Sequence, residues 1–386
     1  MDAVRLALIG AALLVLGGVA IAFGILPTDA VLAIAERVWP VLLFVVAITV
    51  VAELAATAGV FDLAAGMLAR FARGRTAVLW LLVVALAVVA TAFLSLDTTA
   101  VLLTPVVVAV ARAHRLPPLP FAFATVWLAN TASLALPVSN LTNLLALHRL
   151  ASSSPWDFLA LLGPSALIAV VVTVVLLWLV HRRDLRGRFA PAPLPEVADR
   201  ALLITSGVVV AVLLPLLVSG MAPWLPAVAA AMVLVALFLW RHPRALRLGL
   251  VPWRVLVFAA GLFLAVGALE ATGALNVLGT WIGAGPVGLW VAAGLGMLGA
   301  NAGNNLPAYL ALEPSASTPA LLAALLIGVN AGPVITPWGS LATLLWHDRL
   351  RSDGVDVSWR GFVGWGLVLG PVAVGLAVVP VVWRLP

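Results

Sequence analysis

Apolar stretches long enough to cross a bilayer follow one another along nearly the whole chain, and this rules out a water-soluble core. A spanning helix needs about 20 predominantly apolar residues. Nine segments qualify: 6–26, 38–58, 120–148, 158–180, 201–219, 222–240, 253–271, 319–346 and 361–384. Two further stretches, 76–113 and 284–312, are apolar but carry polar residues near their middles. Each reads as a re-entrant hairpin that enters and leaves on the same side. Only 9% of the 386 residues are charged, against about 25% in soluble domains. The expected fold is an all-α polytopic membrane protein with about nine full spans and two hairpins. Ala20-Ile21-Ala22 resembles a signal-peptide cleavage site, but a polytopic chain follows it, so segment 6–26 reads as a retained span.

The basic residues orient this array. All 21 are Arg. With the N-terminus in the cytoplasm, 18 of them face the cytoplasm and only Arg37, Arg149 and Arg384 fall outside, as the positive-inside rule requires. Single spans in place of the hairpins would instead alternate the basic loops between the two sides. One-sided placement accounts for the formal charge of +6. With no hydrophilic domain to hold a duplex, no nucleic-acid partner is expected. The chain has no Cys, which excludes disulfides, thiolate metal sites and cysteine nucleophiles. Neither HExxH nor a Gly-rich phosphate loop ending in Lys occurs. His114, His148, His181, His242 and His347 all stand at predicted membrane edges, and the 15 Trp are common at span ends, as in an aromatic belt. No cofactor or metal is expected.

The chain divides into two related halves, 1–180 and 201–386, joined by a hydrophilic cytoplasmic linker over 181–200 with a proline-rich stretch at 191–195. Segment 130–150, NTASLALPVSNLTNLLALHRL, aligns without a gap on 330–350, NAGPVITPWGSLATLLWHDRL, with seven identities in 21 positions. The span count puts Arg149 outside and Arg349 inside, so the second copy is inverted. Inverted repeats with interrupted helices are the construction of secondary transporters. Two full spans precede the first hairpin and three precede the second.

Non-helical backbone at membrane depth must be buried in protein or line a watery cavity. Four places in the chain have this character. The hairpins turn at Ser95–Thr99 and Asn301–Asn305, and the helices over 120–148 and 319–346 are broken near Pro137 and Pro337. Each break frees carbonyls and a half-helix N-terminus for a ligand. The candidate ligand-binding groups are Ser95, Thr98 and Thr99; Asn130, Thr131, Ser139, Asn140 and Asn143; Asn301, Asn304 and Asn305; and Asn330, Thr336 and Ser340. Singly, such residues often do no more than hydrogen-bond a neighbouring helix. In two repeat-related pairs of clusters they point to a site. Asp97 is the candidate proton carrier, because an acid at membrane depth is costly and functional by default. Its structural alternative is a cap on the hairpin's second arm, through the amides of Thr99 and Ala100. Glu53 and Glu270, near span ends, read as structural ties. Gly285, Gly288, Gly294, Gly296, Gly299 and Gly303 are expected to allow close packing in the second hairpin.

The runs DTTAVLLTPVV (97–107) and ANTASLALPVSNLTNLL (129–145) resemble the first signature of the arsenite efflux permeases, the arsenical pump membrane proteins of the ion transporter superfamily. The runs NAGNNLPAYL (301–310) and IGVNAGPVITPWGSLATLLW (327–346) are similar to the second. The likeness covers both hairpins and both broken helices, with weaker similarity over most of the chain. Dicarboxylate carriers of the superfamily have Ser-Asn-Thr at each hairpin tip, which is absent here. Against the family's pattern, the chain is expected to lack the first helix. The resemblance implies a multi-pass transporter of the inner (plasma) membrane, not an enzyme. It would export arsenite or antimonite as the neutral trihydroxide in exchange for protons, by alternating access. It also implies a cytoplasmic arsenite-stimulated ATPase as a partner open to the family, and leaves a homodimer open. The runner-up is a Na⁺/H⁺ antiporter of the same superfamily. A membrane-embedded lipid-modifying enzyme is a remote third, since no acidic metal motif is present.

Overall fold

The computed structural model describes residues 3–147, 149–150, 154–190, 197, 199–283 and 285–384. His148 and the proline-rich stretch 191–195 lie outside these residues. Eighteen α-helices follow in order: α1 Ala3–Ala22, α2 Thr28–Thr57, α3 Val60–Phe71, α4 Thr76–Leu94, α5 Leu96–Thr98, α6 Thr104–Ala113, α7 Leu119–Thr131, α8 Leu141–Leu147 and α9 Pro155–His181. The second half continues with α10 Arg200–Leu217, α11 Trp224–Arg241, α12 Trp253–Ala271, α13 Asn276–Gly279, α14 Gly285–Gly303, α15 Asn305–Leu312, α16 Pro319–Ala331, α17 Leu341–Ser352 and α18 Trp359–Val382. No strand occurs among the described residues.

Local chemistry sets the helix starts. Thr318 accepts from the Leu321 amide at 3.2 Å while Pro319 fills the first helical position of α16, where its missing N–H removes no helix bond. Eight helical stretches are long and apolar enough to cross a membrane: α2, α4, the continuous stretch 96–113, α9, α10, α11, α12 and α18. The expected spans 120–148 and 319–346 are each two helices separated by nine residues, 132–140 and 332–340. Both hairpin segments fold as helix, tip, helix, with tips at Ser95 and Asn304. The first turn is shorter than expected: Asp97 and Thr98 are already helical, and Thr99–Leu103 is a π-helical turn.

Two bundles face each other. In the first, α1 packs on α12, α2 on α11, and α10 on α11. Here Gly10 and Gly261 let two backbones touch, since a Cβ at Gly261 would lie 2.4 Å from the Gly10 carbonyl oxygen. The second bundle holds both hairpins, with α4 on α7, α7 on α9, α9 on α18 and α14 on α16. Gly328 makes the last contact possible: a Cβ there would meet the Ala293 carbonyl oxygen at 2.1 Å. Of the hairpin glycines expected at close contacts, Gly288, Gly296 and Gly299 are crowded, but a Cβ at Gly285, Gly294 or Gly303 would meet nothing within 4 Å. The Trp belt is also only part of the pattern. Trp80, Trp127 and Trp346 are fully buried, and the last two pack with Phe123 and Phe362 inside the hairpin bundle.

Candidate functional site

A cavity of about 580 Å³ opens between the two bundles. One wall is the C-terminal half of α2, from Phe44 to Glu53. The other is the first hairpin tip, Ser95 to Leu102, together with the starts of α8 and α17 at Leu141 and Leu341. Exposed Arg254, Asp348 and Arg349 form its rim. Arg349 lies eight residues along α17 from Leu341, about 12 Å.

The first tip has an unusual backbone. Ser95 sits at φ 84°, ψ 159°, and Asn304 at the second tip sits at φ 99°, ψ 153°. Only Gly adopts this region without strain, which costs other residues about 1–3 kcal/mol. The sharp reversal brings each residue round to cap its own return arm. Ser95 Oγ accepts from the Thr98 amide at 3.5 Å and donates to Thr98 Oγ1 at 3.1 Å. Thr99 Oγ1 donates to the Ser95 carbonyl at 3.0 Å and accepts from Thr91 Oγ1 at 3.2 Å. Because Ser95 is the cap, Asp97 is not. Asp97 lines the cavity, and its Oδ1 is enclosed without a hydrogen-bond partner.

Most of the other candidates lie behind the cavity wall, bonded to one another. Asn330 is the hub where the two broken helices cross. Its Oδ1 accepts from Ser133 Oγ at 2.8 Å and Asn140 Nδ2 at 2.6 Å, and its Nδ2 donates to Asn143 Oδ1 at 3.0 Å and the Leu326 carbonyl at 2.8 Å. Asn143 also ties the unwound carbonyls of Ser133 and Leu136, while Ser139 Oγ donates to the Ala92 carbonyl at 2.9 Å. Thr131 accepts from Thr173 at 3.1 Å. Asn130 donates to the Val126 carbonyl, but its buried Oδ1 has no donor facing it.

The second tip closes on its own break. Asn301 Oδ1 accepts from the Thr336 amide at 2.9 Å, and the Asn301 carbonyl accepts from Thr336 Oγ1 at 2.8 Å and Trp338 Nε1 at 2.7 Å. Asn304 Nδ2 donates to the Trp338 carbonyl at 3.2 Å, Asn305 Oδ1 accepts from the Leu306 amide, and Ser340 caps Thr343. Of the candidate set, the structure brings Ser95, Asp97 and Thr98 to the cavity. Glu53, read from sequence as a structural tie, lines it as well.

One group was missed. Glu313, just after α15, is 3% exposed. It pairs with Arg37 and accepts from the Tyr309 hydroxyl at 2.9 Å, and Arg149 lies 3.8 Å away. The sequence does carry a signal: Glu313 is the only charged residue between Glu270 and Asp348. Among the described residues no cluster of three His, Asp or Glu could hold a metal ion.

A multi-pass helical protein with a carboxylate-bearing cavity between a scaffold bundle and a double-hairpin bundle is a membrane transporter. Residues 3–323 match the family model for citrate transporters. The arsenical pump membrane protein of Escherichia coli K12 is 30% identical over 364 residues, covering 86% of this chain and 83% of that one. A 46 kDa membrane protein of Mycobacterium leprae is 29% identical over 372 residues, 88% of this chain and 85% of that one. The YdaH transporter of Alcanivorax borkumensis superposes with a TM-score of 0.55 at 16% identity, over 99% of this chain and 98% of that one, a likeness of fold. The chain belongs to the citrate transporter family and to that of the arsenical pump membrane proteins.

Proposed function

We propose that this transporter exports arsenite or antimonite as the uncharged trihydroxide, in exchange for protons, with the first hairpin tip as substrate and proton site. The observation that carries the reading is Asp97, a carboxylate not used as a cap and facing a cavity beside the hydroxyls of Ser95 and Thr98. A neutral trihydroxide needs acceptors and hydroxyls rather than a countercharge. Such a substrate feels no membrane potential, so coupling to the proton gradient requires a group that titrates, and Asp97 is that group. The chain has no thiolate to trap arsenic. Citrate, a polyanion, would meet Asp97 and Glu53 in the cavity and find cations only at the rim, where Asp348 shares them. Na⁺/H⁺ exchange is the second reading, favoured by the same carboxylate and its two neighbouring hydroxyls.

The matching dihedrals support a structural repeat between the halves, whose inversion rests on the placement of Arg149 and Arg349. Ser95 and Asn304 correspond at the tips, and Asn140 (φ −150°, ψ 145°) and Ser340 (φ −140°, ψ 154°) correspond at the breaks. In this reading the cavity rim, with its arginines, faces the cytoplasm, as does the N-terminus. The test is arsenite accumulation by everted vesicles with and without an imposed pH gradient. Gradient-dependent uptake abolished by a protonophore is expected. Uptake that ignores the gradient would contradict proton exchange, and none at all in vesicles holding the folded protein would contradict arsenite.

A further inference from the structure

A second cavity, of about 510 Å³, lies on the far side of the first. Both are threaded by α2: the first takes its wall from Phe44 to Glu53, the second from Pro40 to Phe44. Three side chains border both: Phe44 on α2, Val138 in the first break and Leu144 on α8. Each is at most 6% exposed. The partition between the cavities is therefore a single layer of apolar side chains, with one member from the scaffold bundle and two from the hairpin bundle.

The Glu313 cluster lies at the far end of the second cavity, since Arg37 is about one helical turn of α2 beyond Pro40. Arg37 pairs with Glu313 and donates to the Leu145 carbonyl at 3.2 Å. Arg149, just beyond α8, donates to the Glu313 carbonyl at 2.8 Å. The cluster thus joins the scaffold to the end of the first broken helix and the end of the second hairpin. A carboxylate buried this deeply is tolerable only while paired, and removing one partner leaves an uncompensated charge. The arginine side chains, however, keep 34% and 38% of their surface exposed, so water is at hand to hydrate all three groups once the bundles part. Permanent cement would not need charges at such a place; a joint that must open and re-form in register does.

We infer that Phe44, Val138 and Leu144 form the barrier of the transport path, that the second cavity is its exit vestibule, and that Glu313 with Arg37 and Arg149 is the latch holding that side shut. The inference rests on the alternating-access reading above, but its test does not use the substrate. Because the chain has no Cys, a single Thr49→Cys, about one and a half turns past Phe44 in the first-cavity lining, reports access unambiguously. A membrane-impermeant maleimide is applied to right-side-out and to everted vesicles. In the parent, labelling is expected from the first-cavity face alone. Glu313→Gln should raise labelling from the opposite face by about tenfold or more, and Phe44→Ala should do so without touching a charge. Labelling whose sidedness is unchanged in both variants overturns the inference, even if Glu313→Gln melts at a lower temperature. If Glu313→Gln fails to insert, Arg149→Gln takes its place with the same two outcomes. Parent protein labelled equally from both faces also overturns it. Sidedness that shifts in a protein that moves no arsenite keeps the latch and removes the proposed substrate; the converse removes the latch alone.

Discussion

Asp97 is available for chemistry because Ser95, two residues earlier, takes the capping position in a backbone conformation that only a sharp tip imposes. That an acid in an apolar segment is exceptional could be read from the sequence. That Ser95 and not Asp97 would cap could not, because both are good caps and the choice depends on where the chain reverses. Glu313 shows the opposite case. Its isolation among apolar residues marks it out, but Pro314 and Ser315 after it point to a loop, and its burial depends on Arg37, 276 positions away. Asp97→Asn keeps the shape of the side chain and removes the titration. Its initial rate of gradient-driven arsenite uptake should fall by about 100-fold or more, while its melting temperature in detergent stays near the parent's. A variant that retains driven uptake would move the coupling group elsewhere.

At the scale of elements, the 200-residue offset extends from sequence to backbone: α7 and α16 begin and end 200 positions apart, and so do the starts of α8 and α17. Pro137 and Pro337 signalled the breaks; the length of each and the partners of its polar groups were not legible. Asn130 and Asn330 are equivalent by alignment, yet only Asn330 is a hub. Its partners Ser133, Asn140 and Asn143 are replaced in the second copy by Pro333, Ser340 and Thr343, which leaves Asn130 without matching donors. Asn330→Ala orphans several buried groups at about 1–3 kcal/mol each, so it should cost about 3 kcal/mol or more in thermal or denaturant unfolding in detergent. Asn130→Ala, which removes an unpaired oxygen, should cost clearly less. Equal losses would mean that the network does not work as drawn.

In the whole molecule, the loops rich in arginine meet at one end. The Phe189 amide donates to the Gly74 carbonyl at 2.9 Å, the Thr76 amide to the Gly187 carbonyl at 3.2 Å, and the Phe189 ring meets His114 edge-on at 4.6 Å. The three arginines assigned to the other side are all engaged: Arg37 and Arg149 at Glu313, and Arg384 on the Ala160 carbonyl. The two-bundle arrangement was not legible in sequence, because it depends on contacts between halves. The loop end also holds Asp199, whose carboxyl caps the Leu202 amide and pairs with Arg241, and both hold it below the usual carboxylate range. A group so depressed stabilises the fold fully above that range and loses its contribution as pH falls through its own lower value. Asp199→Asn should therefore lower the melting temperature at neutral pH, with the gap to the parent narrowing in acid. A gap independent of pH would assign its effect to packing.

Exchange of a neutral arsenical for protons is read out by proton movement itself. Everted vesicles are loaded acid inside, with an entrapped pH-sensitive dye, and arsenite, sodium or citrate is added outside. Arsenite alone is expected to release protons, and Asp97→Asn vesicles to give no signal. Release by sodium or citrate with none by arsenite would contradict it.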